Sequence, residues 1–166
     1  VRRPIEWDPT AKAPNYEAWM AEQVGDQADD LEEVASTMLD QIHPPSKGLL
    51  LYGPSRSGKS TFLRRMKEIA GADNTSAVTL HQLATDRFAP ADIDGKVLNV
   101  AADLSSGHVE DLSVFKAVTG GDAIRAERKF GQPYSFVNRA LFAFSANKVP
   151  SVGEDSRAYE ERMKPF

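Results

Sequence analysis

Cysteine is absent from all 166 residues, which excludes disulfide bonds, a thiolate nucleophile and any cysteine-ligated metal site. No apolar run approaches the roughly 18 residues that a membrane-spanning helix needs, and the amino-terminal "VRRPIEWDPT" lacks the apolar centre of a secretory signal. Basic residues are missing over one stretch: Glu17 to Asp40 holds eight acidic residues and not one Lys or Arg. Because the whole chain carries a net charge of -4 and that stretch carries -8, the remainder carries +4. Its basic clusters are "RSGKSTFLRRMK" and the segment from Lys116 to Phe130. This balance argues against a general nucleic-acid coat but leaves room for a local basic element facing a phosphate backbone. These absences lead us to expect a cytoplasmic chain with no membrane partner. A start without Met and an end at "ERMKPF" lead us to expect a fragment of a longer polypeptide.

What the sequence does contain is a phosphate loop, "LLLYGPSRSGKST", from Leu49 to Thr61. Gly53, Gly58, Lys59 and Ser60 fit G-x-x-x-x-G-K-[ST]. Leu49 to Tyr52 read as a buried parallel strand. From Lys59, Phe62, Leu63, Met66, Ile69 and Ala70 recur at helical spacing with Gly71 as a stop. Glycines at 53 and 58 let backbone N–H groups turn toward an anion, Lys59 offers a point charge to the outer phosphates, and Ser60 offers a hydroxyl to Mg²⁺.

Ahead of the loop, the acidic segment reads as two amphipathic helices forming a small subdomain over residues 1–46, closed by "HPPSKG". After the loop helix, "AVTLHQL" reads as a second strand, "FAPADIDG" as a polar connection, and "KVLNVAAD" as a third strand ending at Asp103. "VEDLSVFKAVTGG" reads as a helix closed by glycines, and "DAIRAERKFGQPYSFVN" as a hairpin with Gly131 near its tip. "ALFAFSAN" reads as a fourth strand, and "SRAYEERM" as a short helix. The expected fold is therefore α/β: a mostly parallel P-loop NTPase sheet over 47–166 flanked by helices, with an inserted β-hairpin and the ligand at the carboxyl edge.

Two residues at expected strand ends add chemistry. Asp103 stands where a carboxylate reaches the Mg²⁺ held by Ser60. Many ATPases set a second acid beside it, but the neighbour is Leu104, so the catalytic base stays open among Asp103, Glu110 and Asp111. Asn147 follows an apolar strand, where an amide can orient water at the terminal phosphate. Arg125, Arg128 and Lys129 cluster beside Phe130, a basic strip with one ring suited to holding single-stranded nucleic acid.

The order of phosphate loop, acid-ended strand, "FKAVTGGDAIRAERKFGQPYSF" and Asn-ended strand resembles the superfamily 3 helicase domain, especially that of the phage and plasmid primase-helicases, an AAA+-like ATPase. The likeness covers about Lys47 to Arg162, and the preceding helices resemble that family's amino-terminal helical subdomain. The resemblance implies that Gly53, Pro54, Ser55, Arg56, Ser57, Gly58, Lys59, Ser60 and Thr61 bind ATP phosphates and Mg²⁺. It matches Asp103 to the acidic strand end and Asn147 to the sensor. Lys116, Arg128 and Lys129 match the DNA-contacting region, and Arg162 matches an arginine finger. Ser57 stands where the family often has Asn, and Asp103 where Glu is frequent. The spacing from Arg162 to Pro165 is short, which leaves Arg157 as the alternative finger.

The expected function is that of an ATP-dependent DNA helicase or translocase domain in a phage or plasmid type replication protein. Subunits would form a ring, expected to be a hexamer, with ATP hydrolysed at their interfaces and single-stranded DNA moved by the basic hairpin. A primase domain on the same polypeptide is expected by the same likeness. Two alternatives stay open: a small-molecule or nucleotide kinase, and a nucleotide-dependent assembly module without useful hydrolysis.

Overall fold

The computed structural model describes residues 6, 8–40, 42, 45–101, 113–147 and 161–166. Its main sheet runs β2-β3-β6-β1-β7, with every adjacent pair parallel. The strands are β1 (Gly48–Tyr52), β2 (Thr75–Ser76), β3 (Leu98–Ala101), β6 (Leu141–Ala146) and β7 (Met163–Pro165). A separate antiparallel pair, β4 (Ala123–Ala126) and β5 (Tyr134–Val137), forms the inserted hairpin. The fold is thus a mostly parallel α/β sheet flanked by helices.

Side-chain alternation along the central strands explains why both faces are covered. Leu49 and Leu51 of β1 and Leu141 and Ala143 of β6 enter one apolar cluster. Their neighbours Leu50, Phe142 and Phe144 enter the other. Helices α1 (Pro14–Val24), α2 (Ala28–Ser36) and α3 (Lys59–Ala70) supply the first cluster through Met20, Leu31, Phe62, Leu63 and Met66. Helices α4 (Leu80–Thr85), α5 (Ala89–Ile93) and α6 (Ser113–Gly120) supply the second, where Phe115 meets Phe142 nearly edge-on at 6.3 Å and 83°. Strands buried on both faces read as continuous apolar runs, as "GLLLY" and "LFAFSA" do.

Three local expectations give way. The stretch "AVTLHQL" holds no strand: β2, Thr75–Ser76, lies just ahead of it, and Leu80–Thr85 is helix α4. A capping box decides this: Thr79 Oγ1 accepts from Gln82 N–H, and the Gln82 side chain accepts from Thr79 N–H. The supposed polar connection contains α5, started by a proline near its first position and burying Ala89, Pro90, Ala91 and Ile93. The closing segment, expected helical through Met163, becomes β7 at that residue, pairing Met163 with Gly48 and Pro165 with Leu50. Pro165 is tolerated because β7 is an edge strand.

A candidate nucleotide-binding cleft

The phosphate loop connects the carboxyl end of central strand β1 to the first turn of α3, and its backbone explains the residues chosen. Gly58 has φ 83°, in the left-handed region, and precedes Lys59, the first residue of α3. An added Cβ at Gly58 would lie 2.9 Å from Trp19 Cζ2 and 3.2 Å from Gln23 Oε1. Arg56 also takes a left-handed φ, 69°, which turns the loop back on itself. The N–H groups of Thr61 and Phe62 donate to Gly58 O at 2.9 and 3.0 Å. Those of Lys59 and Ser60 come before Thr61, the first N–H to reach an intrahelical acceptor, and so stand where helix N-termini bind anions.

Lys59 Nζ donates to the carbonyls of Gly53 (2.7 Å) and Pro54 (2.8 Å) and to Ser57 Oγ (3.3 Å). The ammonium is thereby held across the mouth of the loop, and phosphate oxygens are better partners for it than neutral carbonyls. Ser60 is exposed at the start of α3. These donors fit a polyphosphate with its divalent cation. Among the described residues no three His, Asp or Glu side chains gather into a metal site.

Asn147 joins this site. Tyr52 of β1 lies across from Ala146 of β6, and Gly53 N–H donates to Ala146 O at 3.2 Å, so the loop begins beside the end of β6. Asn147, exposed, lines a cleft of about 510 Å³ together with Lys59, Ser60 and Ser145. Ser145 follows from the alternation of β6, which turns it toward the loop's side of the sheet; read as one letter of an apolar run, it gave no signal in the sequence. Trp19 and Gln23 complete the cleft from α1. Trp19 looked in the sequence like one more apolar residue of an amphipathic helix.

The other expected residues fall elsewhere. Asp103, Glu110, Asp111 and Arg157 lie outside the described residues. Arg162 directly precedes β7, whose Met163 pairs with Gly48, so it stands at the amino edge of the sheet. The five residues of β1 span roughly 16 Å at a strand's rise, which puts Arg162 at the far edge from its own loop.

The hairpin is on that amino edge as well, since its second strand returns into the start of β6. Buried Asn138 anchors this return, donating to Val118 O of α6 and to Ala140 O, both at 2.9 Å. Lys116 is half-buried on α6, and Arg125 is exposed on β4. At the tip, Gly131 N–H donates to Arg128 O at 2.7 Å, closing a turn that places Phe130 at φ 66°. A bulky aromatic seldom occupies that region. Phe130 is 97% exposed, with Lys129 Nζ 5.4 Å from its ring centre. Arg128 reaches Asp94 only at 4.0 Å across the surface, a pairing too weak to commit it. Below the tip, burial raises the pKa of the Tyr134 hydroxyl, with the Asp94 carboxylate adding to the effect.

The sequence profile of a family described as "Family of unknown function (DUF5906)" matches residues 51–162. The chain belongs to this family. Among solved structures it is similar to the A form apo structure of the NrS-1 C-terminal region, with TM-score 0.70 and 16% identity over 99% of this chain and 38% of that one. A second apo structure of NrS-1, spanning its residues 305–718, matches with TM-score 0.70 and 14% identity, over 97% of this chain and 41% of the other. JCV Helicase bound to a thiazolopyridine-containing phenoxyphenyl acetamide matches with TM-score 0.58 and 17% identity, over 89% and 42%. The family member described here thus has a helicase-like fold and spans about two fifths of the length of these structures. No helix among the described residues is long and apolar enough to cross a membrane.

Proposed function

We propose that this chain is the ATP-hydrolysing core of a helicase or translocase domain from a phage or plasmid type replication protein, acting on single-stranded DNA within a ring that is hexameric by the superfamily 3 likeness. The observation that carries this reading is β6. One six-residue strand has Asn147 and the phosphate loop at its carboxyl end and the root of the basic hairpin at its amino end. A change at the terminal phosphate therefore has a short, stiff path to the hairpin.

On this reading Lys59 leaves the carbonyls of Gly53 and Pro54 for the outer phosphates, and the first-turn N–H groups of α3 hold the inner ones. Mg²⁺, held by Ser60 and in this proposal by Asp103, would neutralise charge shared by the two outer phosphates. Asn147 orients the attacking water. Arg162, distant from its own loop, serves a neighbouring subunit, with Arg157 the alternative; such a finger is worth about 10³ to 10⁵ in rate in other phosphoryl-transfer systems. At the hairpin, Arg128 and Lys129 hold DNA phosphates and Phe130 stacks on a base, with Arg125 and Lys116 supporting the strip. Residues 1–46 form the accessory helical unit ahead of the core at 47–166, and a primase unit elsewhere on the polypeptide would supply primers.

The test is ATP turnover measured with and without single-stranded DNA, alongside phosphate transfer to small acceptors. Turnover stimulated by DNA, with phosphate released to water, is expected. Transfer to a nucleoside or sugar acceptor would establish the kinase alternative instead. Nucleotide-dependent assembly without turnover would establish the other.

A further inference from the structure

Two of the cavities that Trp19 borders are of opposite character. One is the polar cleft of the phosphate loop. The other, about 710 Å³, is a largely apolar groove between α1, α2 and α3, walled by Tyr16, Met38, Phe62, Met66 and Ile69. Thr61 lines both as well, and it immediately follows Ser60 in α3. We infer that this groove takes the base of a nucleoside triphosphate, stacked on Trp19, and so decides nucleotide against bare polyphosphate at the site.

The direction of the ligand follows from the loop. Lys59 and Ser60 serve the outer phosphates and the cation, so the inner phosphate and the sugar leave past the next helical residue, Thr61. That residue opens into the apolar groove. A flat heteroaromatic ring gains there what it cannot gain in the polar cleft: apolar burial plus a stacking surface. The indole is fixed for the purpose, because its Cζ2 packs where a Cβ on Gly58 would stand and its ring lies 6.2 Å from that of Tyr16. Tyr16 is itself held neutral by burial and by the Glu32 carboxylate, its pKa pushed up to about 12. A third cavity of about 290 Å³ also touches Trp19, but it lies against the start of the loop, at Gly53 and Pro54, and against Phe166. It reaches Lys59 and Phe62 of α3 as well, but Thr61, past which the sugar leaves, does not line it.

This inference rests on the nucleotide reading of the loop, and calorimetric titration with ATP and with inorganic tripolyphosphate separates the two. Trp19→Ala should weaken ATP by about tenfold or more beyond whatever it costs tripolyphosphate, the scale of one lost base-aromatic stack. Ser36→Trp, an exposed change on the groove's wall, should fill the space and give the same pattern without removing any core contact. Equal ATP affinity in parent, Trp19→Ala and Ser36→Trp overturns the base site while sparing the phosphate site. Equal losses for ATP and tripolyphosphate in both variants also overturn it, since the side chains would then be supporting the loop rather than the base. Failure of the parent to bind either ligand overturns both readings.

Discussion

Replacing Gly58 with Ala tests the loop where its geometry is tightest. Two costs arise at once. An L-residue at φ 83° pays about 1 to 2 kcal/mol for the left-handed backbone, and the new methyl meets Trp19 Cζ2 at 2.9 Å. Trp19 is a side chain at the edge of a groove, so it can tilt away, and the backbone term should dominate the loss of stability. For a domain of this length each kcal/mol moves Tm by about 2 to 4 °C, so a fall of roughly 2 to 8 °C is expected in thermal denaturation. Binding of tripolyphosphate should suffer far more than stability, because relaxing Gly58 toward negative φ turns the N–H groups of the first turn out of the loop. Trp19→Ala in the Gly58→Ala background should recover the part of the Tm loss owed to contact and none of the phosphate binding. A Gly58→Ala protein with unchanged Tm and unchanged phosphate affinity would refute both the strained-loop geometry and the anion site built on it.

Other outcomes follow from the same structure. Lys59→Ala should abolish ATP turnover while the protein stays folded, as read by circular dichroism, since among the described residues its Nζ bonds to Gly53, Pro54 and Ser57 of the loop and not to the core. Changing Arg128 and Lys129 together to Ala should weaken single-stranded DNA alike for all sequences, and lower the salt slope by about 0.7 per lost phosphate contact. Phe130→Ala should cost roughly 1 to 3 kcal/mol of DNA binding with little change in that slope. Its Tm should hardly move, because the ring is 97% exposed. Above pH 10, stability should decline as pH rises toward 12: the unfolded chain loses the Tyr16 proton first, while the folded chain keeps it. Tyr16→Phe should flatten that decline in pH-dependent urea unfolding.

Much of this arrangement was legible in the sequence because local chemistry and tertiary role coincided. The loop at Gly53 to Ser60 combines a motif with a strand before it and a helix after it, and both flanks form as expected. The hairpin was legible through its turn near Gly131, and β6 through six consecutive residues that are all buried. What was not legible depended on partners distant in the chain. Three-residue β7 has a proline and an acidic approach, and it becomes a strand only because β1 offers it an edge. The Thr79–Gln82 capping box was written in the sequence, but the five apolar or β-branched residues of "AVTLHQL" mask it with a strand-like composition. Ser145 and Trp19 carry no local mark of function. Their place at the cleft comes from the pleat of β6 and from the packing of α1 on the loop.

In the proposed function, ATP hydrolysis is completed by a neighbouring subunit and linked to DNA at the hairpin. Turnover per subunit, measured over a series of protein concentrations with and without single-stranded DNA, tests this most directly. Turnover per subunit should rise with concentration, rise further with DNA, and lose the DNA response in the Arg128 and Lys129 double Ala variant while its basal rate persists. A rate per subunit that is constant from dilute to concentrated protein and indifferent to DNA would contradict the account.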